Sequence, residues 1–259
     1  MRDNTPMIRH VKNVIRRVLP RSLRRQRILG GPLRGQKLVT SWHDYPAAIL
    51  GRTERPLLEW FSRNVGTCET WLDIGAHFGY TALALSKLVG LQGRVFAFEP
   101  MVSTAGCLAQ SRRFNGLAQL SVIPVALGQP ESFGIHLLPA TRGMVDSTIG
   151  SSSWLEPISV ARLDWLWPRI CGEDPKIDGI KIDVQGMELE TLTGMCAVLE
   201  QFHPKLVIEI HKGVSRPGLL QCLAAVGYNH PGHPIEPVED EIEPRYLDDR
   251  SYSFRTSAR

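Results

Sequence analysis

An α/β fold, a mostly parallel sheet covered by helices on both faces, is predicted by three stretches of the chain. Residues 71–79, Trp-Leu-Asp-Ile-Gly-Ala-His-Phe-Gly, read as a buried strand that stops at a carboxylate and a glycine turn, and a helical pattern starts at residue 80. Residues 94–100 are a second apolar run, closing in Glu99, and residues 179–183 are a third, closing in Asp183. Strands that end in acid and alternate with helical patterns point to βαβ units, whose strand ends gather along one edge of the sheet.

The first of these turns carries the chemistry. Gly75 and Gly79 can take positive φ and leave the backbone open to a ligand, while the free N–H groups of the following helix face the same cleft. Glu99, on the neighbouring strand, can accept hydrogen bonds from two ribose hydroxyls, each contributing about 1.5–3 kcal/mol to a charged acceptor. A dinucleotide fold needs Gly-x-Gly-x-x-Gly against a pyrophosphate. Here the pattern is Asp73-x-Gly75-x-x-x-Gly79, and an acid before the turn repels phosphate but suits an ammonium or sulfonium.

A chain of 259 residues with 43% hydrophobic and 22% charged residues can bury one large core, so one main domain with appendages is expected. No apolar run approaches membrane-spanning length, and the basic start lacks a secretory pattern, so a cytoplasmic protein is expected. The five cysteines are scattered without Cys-x-x-Cys spacing, which argues against a disulfide framework and a zinc site. Net charge is +4, but residues 1–30 carry +8 and the remainder −4. A basic arm on a mildly acidic body argues against a broad nucleic-acid surface.

In chain order, Met7, Ile8, Val11, Val14, Ile15, Val18 and Leu19 recur at helical spacing among basic residues. This arm, residues 1–30, either packs on its own domain or a second subunit of a homo-oligomer, or lies on anionic lipid through residues 7–27 at the inner membrane surface. A turn over residues 30–35 opens the main domain, residues 31–259, with a short strand at 37–40 and helical pieces at 47–50 and 57–64. After Glu99 come a helix over 104–114, capped near Asn115-Gly116, and a strand over 120–126. Residues 133–138 alternate like an exposed strand. The Ser-, Thr- and Gly-rich segment 143–153 is the candidate substrate loop, with Ser147 and Thr148 its best contacts. A strand at 158–161 and a helix at 163–170 lead to the Asp183 strand and a helix running to about 199. Residues 205–211 form the next strand, with Glu209 and His211 at its end and expected on opposite faces, followed by a helix over 217–226. The acidic run from 236 to 243 reads as solvated loop.

The chain resembles the FkbM-type S-adenosylmethionine-dependent methyltransferases. The resemblance rests on Gly51-Arg52-Thr53-Glu54, residues 72–81, Ala97-Phe98-Glu99-Pro100, Asn115, residues 125–128, Leu163-Asp164 and residues 181–186, which arrive in the family's order. It implies a Rossmann-like class I methyltransferase fold, with a seven-stranded sheet and residues 251–255 as an antiparallel edge strand. It also implies S-adenosylmethionine as cofactor, with Glu54, Asp73, Gly75, His77, Gly79, Glu99, Pro100, Ala126 and Asp183 as its contacts. Two residues depart from the family pattern: His77 stands where Asn is usual, and Gln185 where Glu is usual.

The activity implied is methylation of a hydroxyl on a small-molecule, glycan or polyketide-like acceptor, contacted by Ser147, Thr148, Lys181 and Gln185. Asp183 is the first candidate base, with His211 and His77 behind it. Each has a plainer reading: Asp183 as a helix cap, His77 as a filler of the turn, His211 as part of a satisfied polar network. No metal is expected, since no three-carboxylate pattern is visible. Methylation of nucleic acid or protein, for which only the basic arm speaks, and a non-catalytic cofactor-binding scaffold are the alternatives.

Overall fold

The computed structural model describes residues 19–141, 144, 145, 154–239, 241 and 243–256. Most of the basic arm, residues 1–18, and the loop residues Ser147 and Thr148 lie outside the described residues. Strands β1 (Arg24–Arg27) and β2 (Lys37–Thr40) pair antiparallel, Arg25 opposite Val39. Ile28, directly after β1, is buried with Leu33, Leu38 and Phe61, so this end of the basic segment is part of the body.

Helices α1 (Pro46–Ile49) and α2 (Arg55–Asn64) lead to β3 (Thr70–Ile74), α3 (Tyr80–Val89), β4 (Arg94–Phe98), α4 (Val102–Asn115) and β5 (Leu120–Ile123). A second sheet of four strands follows: β6 (Ala126–Leu127), β7 (Gly134–Thr141), β8 (Met144–Val145) and β9 (Trp154–Ala161), in the order β6-β9-β7-β8. The chain returns through α5 (Leu163–Ile170) to β10 (Gly179–Ile182), α6 (Glu188–Thr193), α7 (Cys196–Phe202), β11 (Lys205–Ile210), α8 (Arg216–Ala225), β12 (His233–Pro234) and β13 (Arg250–Phe254).

The main sheet has seven strands in the order β12-β13-β11-β10-β3-β4-β5. From β11 to β5 all pairings are parallel, and β13 and β12 run antiparallel. This is the fold class expected, with one refinement: the antiparallel strand of residues 250–254 lies one place in from the edge, because short β12 adds outside it. Strand order reverses between β3 and β10, the switch point where open α/β sheets bind ligands.

Alternation sends Leu72, Ile74, Ile180, Ile182, Leu206 and Ile208 into one core with Leu163, Trp167, Leu192, Leu199 and Leu219 of α5 to α8. Trp71, Val95, Ala97 and Val207 face the other core, with residues of α2, α3 and α4. Among the described residues no helix is long and apolar enough to cross a membrane.

Two expected elements are divided. The strand expected over 120–126 breaks at Pro124, which has no N–H for a ladder, and β6 joins the second sheet. The helix expected to run to about 199 breaks at Gly194. A Cβ there would sit 1.8 Å from the carbonyl oxygen of Gly128, so the close approach of two backbones ends α6.

Gly179 at the start of β10 has a similar constraint, since an added Cβ would lie 2.3 Å from the Trp71 indole. That ring is buried and its Nε1–H donates to Glu69 Oε2 at 2.8 Å, so it cannot easily yield. Gly179→Ala is expected to cost about 1–3 kcal/mol as overpacking. Urea denaturation checks this, and an unchanged midpoint would mean that the indole moves aside.

Candidate active site

The ends of β3, β4, β10 and β11 surround a cavity of about 340 Å³ whose walls include Glu54, Gly75, Glu99, Lys181, Asp183 and Glu209. Beneath it lies a buried ion pair. Lys181 sits opposite Asp73 in the β10–β3 register, and its Nζ lies 3.1 Å from Asp73 Oδ1, with the two side chains 4% and 0% exposed. The ammonium also donates to Gly75 O at 3.1 Å and lies 3.5 Å from Asp183 Oδ2. Burial alone would lower the lysine's pKa, but Asp73 and Asp183 outweigh it and hold the ammonium charged. Thr81 Oγ1 donates to Asp73 at 2.6 Å from the first turn of α3.

The turn after β3 is shaped by positive φ at Gly75 (78°), His77 (49°) and Gly79 (93°). A Cβ on Gly75 would lie 1.8 Å from Asp183 O, so only glycine lets the ends of β3 and β10 meet. His77 occupies a left-handed position that Asn and His tolerate better than most residues, which accounts for a histidine where the related pattern has asparagine. Its ring packs on Phe78 at 4.3 Å and Tyr45 at 5.4 Å between centroids. Burial lowers its pKa to about 4, so it is neutral at physiological pH.

Glu99 is held from both sides. Its Oε2 accepts from the His77 N–H at 2.8 Å and its Oε1 from the Met101 N–H at 3.0 Å, while burial raises its pKa to about 7.

Beyond Lys181 the carboxylates crowd together around His211. His211, 5% exposed, has its Nδ1 2.7 Å from Glu188 Oε1, and its Nε2 lies 3.6 Å from Asp183 Oδ1 and 3.8 Å from Glu209 Oε1. Burial disfavours the imidazolium, but the hydrogen bond to Glu188 and the charges of Asp183, Glu188 and Glu209 prevail and raise the ring's pKa to about 9. Burial also raises Glu209, to about 8, helped by repulsion from Asp183 and Glu54. Asp183 moves the other way: Lys181 and His211 overcome its burial and lower its pKa. Gln185 Nε2 donates to Asp183 Oδ1 at 3.2 Å and lies 2.9 Å from His211 Nε2.

Of the residues singled out from sequence, Glu54, Gly75, His77, Glu99, Pro100, Ala126, Lys181, Asp183 and Gln185 line the cavity. His211 stands just behind it. Asp73 and Gly79 do not reach it: Asp73 is enclosed by Lys181 and Thr81, and Gly79 packs against Leu108. Glu209 and His211 were expected on opposite faces, yet they share one, as positions two apart along a strand must. That error of period hid Glu209. Glu188, a residue of the α6 first turn, was missed because its partner is 23 positions away. A second cavity, of about 230 Å³, adjoins the first through the shared residues Glu54 and Glu209 and is lined also by Arg52 and Arg250.

Residues 73–230 match the family described as the methyltransferase FkbM domain. Hexuronic acid methyltransferase AglP of Haloferax volcanii is 31% identical over 156 residues, which span 59% of this chain and 60% of the relative. Methyltransferase FkbM from Methylobacillus flagellatus KT superposes with a TM-score of 0.50 at 18% identity, covering 81% of this chain and 53% of that one. At that identity the likeness concerns the fold.

The His211–Glu188 pair makes a prediction independent of any ligand. Glu188→Gln keeps a hydrogen-bond acceptor but removes its charge, so the ring's pKa falls from about 9 toward its ordinary 6.5. Nuclear magnetic resonance titration of the histidine ring protons reads this directly. Unchanged titration in the variant would remove Glu188 as the cause.

Proposed function

Since the chain belongs to the FkbM methyltransferase family, we propose that it transfers a methyl group from S-adenosylmethionine to an oxygen of a glycan-like acceptor. The observation that carries this reading is one cleft whose lining joins Glu99 and the bare Gly75 turn to the charged group Lys181, Asp183 and Glu209. Its volume, about 340 Å³, falls in the range of small-molecule sites, about 300–1,000 Å³.

The residues fit the cofactor. Glu99 spends one lone pair of each oxygen on backbone donors and has others left for ribose hydroxyls. Glu54, on the cavity wall, can accept from an ammonium. When bound, S-adenosylmethionine supplies a methyl group made electrophilic by its positively charged sulfur. The protein's part is then alignment and proton removal, and orientation of two bound reactants can contribute as much as about 7–11 kcal/mol.

Asp183 is the group best disposed to receive the proton of an acceptor hydroxyl. Lys181 keeps it ionised, and it lines the cavity. His211 stands behind Asp183, with its Nε2 3.6 Å from Oδ1, and neutral His77 shapes the wall. For the acceptor, the name of the Haloferax relative supports a sugar acid. Arg52 adds to this, because it lines the adjoining cavity and forms no ion pair among the described residues, leaving it suited to a carboxylate.

Calorimetric titration with S-adenosylmethionine should give micromolar binding, weakened at least about 100-fold in Glu99→Ala by loss of two charge-assisted hydrogen bonds. Because the ionised carboxylate is the binding form, affinity should rise as pH increases through about 7. Absence of binding to the folded protein at any pH would overturn the reading. Asp183→Asn should retain cofactor affinity and lose about 10²–10⁴-fold in turnover of a uronic-acid glycan. A loss below about tenfold would remove Asp183 as the proton acceptor.

A further inference from the structure

We propose that Asp183, Glu209 and His211 form a binding site for one divalent metal ion at the acceptor end of the cleft. Spacing along the chain does not mark this site, because Asp183 comes at the end of a different strand from Glu209 and His211. The donors here are two carboxylates and an imidazole, brought together by the adjacent ends of β10 and β11.

Their arrangement is that of a ligand set. One oxygen or nitrogen from each of the three residues lies within 4.8 Å of the other two. Around an ion with bonds of about 2.1 Å, neighbouring donors stand about 3 Å apart. The observed separations of His211 Nε2 from Asp183 Oδ1, 3.6 Å, and from Glu209 Oε1, 3.8 Å, therefore need to close by less than an ångström.

The surrounding contacts point the donors inward. Glu188, fully buried, takes the Nδ1–H of His211 at 2.7 Å, which leaves Nε2 as the ligating atom of the neutral ring. Metal-binding histidines almost always have such a carboxylate behind them. Lys181 engages Asp183 Oδ2, so Oδ1 is the oxygen turned to the ring.

Charge favours the same assignment. Asp183, Glu188 and Glu209 meet within one cluster, while the nearest lysine is already shared with Asp73. A proton on Nε2 relieves part of this excess, and a divalent cation in its place relieves more. The Gln185 amide nitrogen, 2.9 Å from Nε2, must turn away, and rotating the amide presents its carbonyl oxygen as a further ligand. Carboxylate and carbonyl oxygens with one imidazole suit Mn²⁺ or Mg²⁺ better than a thiophilic metal.

Glu209 lines both cavities, so the ion's remaining positions open where the two meet. Acceptor oxygens would fill them there, and that last step alone rests on the function proposed above.

The test is titration of the full chain with Mn²⁺ alone, following free ion by electron paramagnetic resonance. The expected result is one ion per chain with a Kd of about 10⁻⁵–10⁻³ M, and binding at least about tenfold weaker in Glu209→Gln and in Asp183→Asn. Glu59→Gln, an exposed acid of α2 that lines neither cavity, should bind as the parent does. Two variants and the parent's own stoichiometry keep the outcome readable if one variant fails to fold. No saturable binding by the parent up to about 10 mM, or parental affinity in both cluster variants, would overturn the site. S-adenosylmethionine titration of the same samples separates the two claims. Cofactor binding without Mn²⁺ binding removes the metal site and leaves the proposed function, and the reverse leaves the metal site and removes the function.

Discussion

The buried pair between Lys181 and Asp73 is the interaction on which the rest of the site depends. Removing one partner of such a pair leaves an uncompensated charge in the core and typically costs about 3–5 kcal/mol, whereas the intact pair adds little net stability. Its value lies in position. Lys181 joins β10 to β3 at the point where strand order reverses, reaches the carbonyl of Gly75, and neutralises the near oxygen of Asp183. A turn, a strand register and the charge state of the cleft are thus fixed by one ammonium.

The strands of the main sheet were legible because their apolar runs end abruptly. Residues 71–74, 94–98 and 179–182 needed no partner information to be read as parallel strands, and Glu99 followed from its place at the end of the second. What the chain did not disclose were contacts across long separations. Asp73 looks like a cleft residue until Lys181, 108 positions later, is seen to enclose it. Gly194 gives no sign of ending a helix until the carbonyl of Gly128 is found against it. Glu188 is an ordinary acidic residue in a first helical turn, and only the arrival of β11 makes it the partner of His211.

Charge is distributed within the cleft as unevenly as it is along the chain. Neutral His77 packs on its aromatic neighbours at the cavity wall, and the two strongly raised carboxyl groups among the described residues, Glu99 and Glu209, line the cavity rather than the surface. Such crowding opposes folding, and it persists because the surrounding β-sheet and helices supply enough burial to tolerate it. The two cavities share Glu54 and Glu209, so the groups that define one wall of the first also define the entry to the second.

The double tether of Glu99 bears on the entropy of recognition. With one backbone N–H on each oxygen, from residues on opposite sides of it in the sequence, the carboxylate has no rotameric freedom left to lose. Its ordering is completed during folding, before any ligand arrives. Immobilising a flexible side chain at an interface costs about 0.5–1.5 kcal/mol, and a group already fixed is spared that loss. The anchor is consequently rigid as well as charged, and adaptation to a ligand's shape falls to the opposite wall of the cleft.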